Sequence, residues 1–441
     1  MRHLPLWNTV VTPLIVVVWF APHSRATEPT ITDQPKDVEA VTHQVTAHLP
    51  QPVSTAQMGG VPLPSKDELL AMHDSPYILH ARGGKLVRVP VEKTRLPDDP
   101  GDTQEISTAR GPNGAVYVGR LDKVCKSVDG GRSWTSHPFG PGPEGDSPPV
   151  ADFRILADGT FIGVGRASGN TQEPFIVLVS EDEGRSWQKR SQFEMPVEYK
   201  PFDGKYGDFV FVTSDGTLLC PVDVRRPVED PQLNQWYRQQ WNAVCFRSTD
   251  DGHTWQGPSL VCHWWAGCEG GMAQTPSGKI VAVVRHQRPL LASDSPDLVE
   301  KNGGYTVQEN EKSVGWPYKT VFMIDSHDDG RTWTDFRQVC TRFGQTRGYP
   351  AALSDGTVVV VHDTRYGPGG PGTRAMISRD EGRSWQDEVY YLDYSATTGS
   401  YANSIVLEDD LILTVACSTR PGRPAKAPAE VTAIRWRPVQ P

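Results

Sequence analysis

The sequence predicts an all-β chain folded as a six-bladed β-propeller. Three observations carry that expectation. An eight-residue turn, SVDGGRSW at Ser127 to Trp134, returns as SEDEGRSW from Ser180, STDDGHTW from Ser248, SHDDGRTW from Ser326 and SRDEGRSW from Ser378. Each copy follows a strand, a tight Gly turn and a second strand, and repeats of this length built from four strands are the pattern of propeller blades. The composition agrees: 41 Gly and 38 Pro in 441 residues supply turns, and no amphipathic heptads stand out.

From the start of the chain, MRHLPLWNTVVTPLIVVVWFAPHSRATEP reads as a signal peptide over residues 1–26. Arg2 and His3 precede an apolar run from Val10 to Ala21, and Ser24 and Ala26 form a small-x-small cleavage pattern. Pro13 and the short length argue against a membrane span, so a secreted or periplasmic product is expected. Residues 27–75 are polar, Pro- and Thr-containing and without clear periodicity, and are expected to form a linker or loosely packed arm.

Residues 76–441 carry the propeller. The Gly turns are PNG at 112–114, ADG at 157–159, SDG at 214–216, PSG at 276–278 and SDG at 354–356, with a degenerate sixth, LEDD, at 407–410. Apolar β-formers follow each one: AVYVG, TFIGVG, TLLCPV, KIVAVV, TVVVV and LILTV. Six such units against five Asp turns implies that the last blade is completed from elsewhere. The chain ends soon after VTAIRW (431–436), the third strand of that blade. Closure by an N-terminal strand, with KLVRVP (85–90) as the candidate, removes the need for a sixth turn.

The recurrent turn itself reads as scaffold. Its Asp accepts backbone N–H bonds within the hairpin, Gly supplies positive φ, Ser or Thr adds a local bond, and Trp buries apolar surface between sheets. The competing reading, calcium binding, requires a D-x-[DN]-x-[DN]-G pattern that the sequence lacks.

The balance of 44 Lys plus Arg against 53 Asp plus Glu, without a basic run, argues against nucleic acid as partner. Seven cysteines (125, 220, 245, 262, 268, 340 and 417) leave at least one unpaired thiol in a monomer. Cys262 with Cys268, or Cys220 with Cys245, are the pairs open to an oxidising compartment, and buried thiols are the alternative. No Cys/His spacing suggests zinc, and neither metal nor cofactor is expected. GPGPEG (140–145) and GPGGPG (367–372) match G-x-G-x-x-G in letters only, since neither leads from a strand into a helix.

Candidate chemistry lies on the face opposite the Asp turns, where strands one and three start and strand two ends. Nine positions before the Gly turn stand Glu105, Glu269, Arg347 and, counted from Asp410, Tyr401. Seven positions after it stand Arg166, Asp223, Arg285 and Asp363, and Arg374 begins a third strand. Charges near loops are usually solvated. Several Arg with a Tyr and a Glu at one height suggest more, because convergent guanidinium groups recognise a carboxylate and a phenol needs a neighbouring base to become a nucleophile.

With these residues in view, the chain resembles the bacterial exo-sialidases with Asp-box (BNR) repeats over most of residues 100–441. CEGGMAQTPSGKIVAVVRH resembles the family's Glu-strand-turn-strand-Arg segment, which implies Glu269 as base of a Tyr–Glu pair and Arg285 as a carboxylate-binding residue. TRAMISRDEGRSW implies Arg374 in the same clamp, and SYANSIVLEDDLILTV implies Tyr401 as nucleophile. The family's first blade opens with Phe-Arg-Ile-Pro, whereas this chain has QEIS with Glu105; the similar string DFRIL places Arg154 four residues out of register. The acid/base Asp corresponds to Asp122 in GRLDK, with Asp152 as second choice.

The resemblance therefore implies a retaining hydrolysis of terminal sialic acid or a related acidic sugar. Tyr401, deprotonated by Glu269, attacks the anomeric carbon while Asp122 protonates the leaving oxygen; a neutral phenol avoids repulsion from the substrate's carboxylate. Arg285 and Arg374, with Arg154, Arg166 and Arg347 nearby, hold that carboxylate. Trp264 and Trp265 line the sugar pocket or pack between blades. The competing reading, motivated by Glu105, is a non-catalytic propeller that binds a glycan or a protein at the same mouth.

Overall fold

The computed structural model describes residues 62–97, 106–120, 123–143, 152–166, 174–197, 200–201, 210–227, 239–262, 266–267, 270–288, 318–339, 345–364, 372–395, 402–418 and 430–440. Among these the propeller strands fall into six antiparallel sheets, numbered here as blades in chain order. Blade 1 comprises Ser107–Arg110, Val116–Arg120, Lys123–Ser127 and Thr135–Pro138. Blade 2 comprises Arg154–Ile155, Phe161–Arg166, Phe175–Ser180 and Gln188–Phe193. Blade 3 is built on Phe211–Val212, Leu218–Pro227, Gln239–Ser248 and Gln256–Cys262, and blade 4 on Met272–Gln274, Ile280–Arg288, Tyr318–Ser326 and Thr334–Gln338. Blade 5 comprises Gln345–Ala352, Val358–Thr364, Gly372–Ser378 and Glu388–Tyr394.

Blade 6 contributes Asn403–Val406, Ile412–Ser418 and Glu430–Trp436, and its outer strand comes from the N-terminal side. That strand is Glu92–Arg95, paired from Thr432↔Arg95 to Arg435↔Glu92. KLVRVP, the expected candidate, is corrected by this pairing. Gly83 and Gly84, both at positive φ, fold Lys85–Pro90 back onto Tyr77–Arg82, and this hairpin extends the outer edge of blade 5 through Leu79↔Tyr391. Apolar content was the wrong guide. Fourth strands lie at the rim with one face wet, so they read TSHP, QKRSQF and TDFRQ, and EKTR belongs with them.

Within the stretch expected as an arm, Lys66–His73 forms a helix. Ser65 and Glu68 cap it reciprocally, Ser65 Oγ accepting the Glu68 N–H and Glu68 accepting the Ser65 N–H at 2.8 Å. Leu69 and Met72 dock on Val389, Tyr391 and Tyr394 of blade 5.

The core lies between blades rather than under one sheet. Leu413 and Val415 of blade 6 meet Val116 and Val118 of blade 1, and each following pair of blades repeats the arrangement. The Trp of every Asp turn enters the seam with the preceding blade: Trp134, Trp187, Trp255, Trp333 and Trp385. The Gly three residues earlier is fixed by the same seam. A Cβ on Gly252 would stand 2.8 Å from Ile162 of blade 2, and one on Gly330 2.7 Å from Leu219 of blade 3. Blade 6 has no turn, and Trp436 stands opposite Ile412, where other blades place the Ser of the motif opposite Val116, Leu218, Ile280 or Val358. Trp436 thus packs the seam between blades 5 and 6 from the strand itself.

The candidate disulfide Cys220–Cys245 does not form. The register sets Cys220 against Phe246 and Cys245 against Pro221, so the two thiols lie on opposite faces of the sheet, one in the seam with blade 2 and one in the seam with blade 4. Cys262 is likewise a buried thiol, so the Cys262–Cys268 pair is not made.

Candidate functional site

The two faces of the ring are separated by the direction of the strands. The Asp turns saturate their own polar groups: Asp250 Oδ1 accepts from Thr254 N at 2.8 Å and Ser248 Oγ at 2.8 Å, and Oδ2 accepts from Thr254 Oγ1 at 2.6 Å. These bonds, that of the Thr254 hydroxyl first, pull the Asp250 carboxyl down to about 2 against the opposing effect of burial. Gly252 N donates to Ser248 Oγ at 3.0 Å, and Trp255 Nε1 donates to Gly252 O at 3.2 Å. The Ser, Asp and Thr side chains of this turn are thus bonded to one another and to the backbone of the same hairpin.

The opposite ends of the innermost strands are different. In the five blades where that position is described, the residues seven before the turn are Ser107, Asp152, Gly271, Tyr349 and, counted from Asp410, Asn403, all buried. Asp152 and Arg154 share one face of a strand, and Arg154 Nη1 donates to Asp152 Oδ1 at 2.6 Å and to Phe153 O at 2.8 Å. The other carboxylate oxygen, Asp152 Oδ2, is buried and has no hydrogen-bond partner among the described residues.

Tyr349 and Arg347 share a face of the innermost strand of blade 5 in the same way. Arg347 Nη2 donates to Tyr349 Oη, with the guanidinium carbon 5.0 Å from the ring centroid, and Arg347 N donates to Asp363 Oδ1 at 2.6 Å. The ring of Tyr349 fits because blade 4 places glycine beside it: a Cβ on Gly271 would stand 2.5 Å from Tyr349 Cδ1. Gly271 N donates to Gly348 O at 2.8 Å, and Gly270 bridges Gly348, so these strands are zipped together.

Burial pushes the Tyr349 hydroxyl above its ordinary range; the charge of Asp152 adds to this, while those of Arg347 and Arg154 oppose it. Blades 2 and 5 stand opposite each other in a ring of six, so the Asp152–Arg154 and Arg347–Tyr349 pairs lie on the innermost strands of opposite blades.

Of the residues expected from sequence, Arg154 pairs with Asp152 and Arg347 with Tyr349. Arg285 is buried on the second strand of blade 4, opposite Val321 and Gly267. Arg374 is buried on the third strand of blade 5, with its guanidinium 5.1 Å from the ring centroid of Tyr391 on the outer neighbouring strand. Arg166 ends the second strand of blade 2, opposite Phe175. Tyr401, Glu269 and Asp122, the expected catalytic set, lie outside the described residues, as do Glu105, Trp264 and Trp265. Sequence reasoning missed Tyr349, although counting seven rather than nine residues back from the turn sets it in a row with Asp152.

Residues 159–301 match the model of the BNR repeat-like domain. The chain is a six-bladed β-propeller, and the repeat model matches about a third of it. No curated protein matches it. Among solved structures, this propeller is similar to a protein of unknown function from Dyadobacter fermentans, at 17% identity over 78% of this chain and 97% of that one, with a TM-score of 0.52. It is also similar to the GH93 α-L-arabinofuranosidase of Fusarium graminearum in complex with arabinobiose, at 14% identity over 78% and 97% of the two chains, with a TM-score of 0.50. A Hadza microbial sialidase follows at 14% identity, 82% and 74% coverage and a TM-score of 0.46. At these identities the likeness is one of fold.

Proposed function

We propose that this protein is a secreted, sialidase-like glycoside hydrolase that holds a terminal acidic sugar, sialic acid or a relative, at the propeller mouth. The observation that carries the reading is the presence of two arginines on the innermost strands of opposite blades, Arg154 bonded to Asp152 and Arg347 bonded to the hydroxyl of Tyr349. Guanidinium groups on the innermost strands of a propeller suit an anionic sugar, which presents a carboxylate to planar, forked donors. In this reading Tyr401 is the nucleophile, Glu269 its base and Asp122 the acid/base, with Arg285, Arg374 and Arg166 completing the clamp; the sequence resemblance supports these roles.

The test is mass spectrometry after incubation with a fluorinated sialoside that traps the glycosyl-enzyme. A tyrosine-linked adduct in the wild type, lost in Tyr401→Phe, supports the mechanism; hydrolysis of a sialoside without such an adduct overturns it. One observation favours the second reading, a propeller that binds a glycan without cleaving it. Arg154 is already engaged with Asp152 and Phe153 O and is thus less available as a clamp residue. Sialoside binding without turnover selects that reading.

A further inference from the structure

The segment that closes the ring is held by two blades. Its helix, Lys66–His73, and its hairpin dock on blade 5, while its last strand, Glu92–Arg95, completes blade 6. That strand pairs over only four residues, reads EKTR and has no apolar side chain to grip the seam. One side chain of the same segment reaches both blades. His73 places Nδ1 2.6 Å from Asp393 Oδ1, on the outer strand of blade 5, and Nε2 3.7 Å from Glu430 Oε2, on the third strand of blade 6. All three residues are buried. The closing strand adds two cations: Arg95 stands 3.1 Å from Glu430 Oε2 and 3.3 Å from Asp74 Oδ1, and Lys93 Nζ donates to Met72 O at 2.7 Å. Among the described residues these are the charged groups around His73 from blade 5, blade 6, the closing strand and the end of its own helix.

Protons decide how well this arrangement holds. A neutral imidazole has one N–H; when it donates to Asp393, its other nitrogen turns a lone pair towards Glu430. An imidazolium directs an N–H at each carboxylate. Charge balance points the same way. With His73 protonated, three cations (His73, Lys93 and Arg95) face three anions (Asp74, Asp393 and Glu430), whereas a neutral ring leaves a buried negative charge uncompensated. We propose that His73 is a proton-operated clasp of the ring: protonated, it ties the closing segment to Asp393 of blade 5 and Glu430 of blade 6, and as it gives up its proton the segment loosens from both. This does not rest on the glycan reading. The clasp is complete below the ordinary imidazole value of about 6.5 and is lost at higher pH, as the folded ring deprotonates. Lys93 works in the opposite sense. Burial pushes its ammonium down to about 8, so folding gains as it discharges above that value.

The experiment is amide hydrogen exchange of the full chain, read by mass spectrometry between about pH 5.5 and about pH 9, either side of the imidazole range, and corrected for the intrinsic pH dependence of exchange. In wild type, peptides covering Lys66–His73 and Glu92–Arg95 are expected to exchange about 10-fold faster at the upper pH, the factor that one unit of proton coupling produces. The strand Phe161–Arg166 of blade 2 should not change. His73→Gln keeps one N–H donor and cannot take up a proton, so it is expected to exchange at the faster rate throughout. Glu430→Gln keeps the shape and removes one of the two anions, so its loosening should move to lower pH by about one unit. This second variant carries the test if His73→Gln does not fold, which melting curves establish. Exchange that does not depend on pH in wild type overturns the clasp. So does loosening that persists unchanged in His73→Gln, which would assign it to another group, or a transition that Glu430→Gln leaves in place.

Discussion

The Asp-turn face and the mouth face of this propeller are built on opposite principles. On the first, one eight-residue solution is used five times, and its Asp carboxylate is bonded to Ser and Thr side chains of its own turn, as in Ser248–Asp250–Thr254. On the second, no blade repeats another: the equivalent positions hold Ser107, Asp152, Gly271, Tyr349 and Asn403. Polar groups there pair along their own strand, as Arg154 does with Asp152 and Arg347 with Tyr349, or with a neighbouring strand. The difference teaches that stability and specificity have been separated in space. The repeated face can be altered only at a cost to the seams, whereas the mouth can change one side chain at a time without touching a turn.

The largest expected effect breaks the first face. Gly330 lies at φ 79, and a Cβ there would meet Leu219 of the preceding blade at 2.7 Å. Gly330→Ala combines left-handed strain with overpacking and is expected to cost about 2–4 kcal/mol. Gly159 is the control, because it has φ 93 but no atom within 4 Å of its would-be Cβ. Gly159→Ala carries the strain alone, about 1–2 kcal/mol. Chemical denaturation of both variants checks the difference; equal losses would mean that the seam contact contributes nothing.

The second prediction breaks the mouth and leaves the turns alone. Arg347 is partly exposed, and its guanidinium engages Tyr349 rather than a seam. Arg347→Ala is expected to weaken binding of an acidic glycan about 10- to 100-fold, as loss of a charge-assisted contact does. Its denaturation midpoint should move far less than that of Gly330→Ala. A large loss of stability with unchanged binding would assign Arg347 to the scaffold.

The same division explains what could be read from sequence. The blades were legible because the Asp turn is local: Ser, Asp, Gly and Trp are spaced by the hydrogen bonds of one hairpin, so the motif survives as a string. The outer strand of blade 6 was misplaced because its partners, Thr432 to Arg435, are more than 300 residues away and a rim strand carries no apolar signature. Arg347 was legible as a mouth residue from its distance to a Gly turn, and Arg154 from the string DFRIL, although out of register. Tyr349 was not, since its significance depends on Gly271 making room beside it and on Asp152 across the axis, neither of which is near it in the chain. A residue whose role is set by two other blades leaves no local pattern.

The smallest effect concerns acid. Hydrogen bonds within the turns hold the Asp carboxyls below their ordinary range, Asp250 at about 2, and Asp129 is shifted in the same direction by its bonds with Ser133. For a group whose folded value is depressed, the stabilisation is complete above the unfolded value of about 4 and is lost as pH falls through the folded value. Stability should therefore decline between about pH 4 and pH 2, with the turns contributing together. These carboxylates are close to solvent, so the contribution of each is modest and screened. The measurement is the denaturation midpoint between pH 6 and pH 2.5 for wild type and Asp250→Asn. Asparagine keeps one acceptor and loses the charge, so the variant should be less stable at neutral pH and approach wild type as pH falls. Parallel curves would show that Asp250 titrates alike in the folded and unfolded chain, and that its turn is held by geometry rather than by the carboxylate.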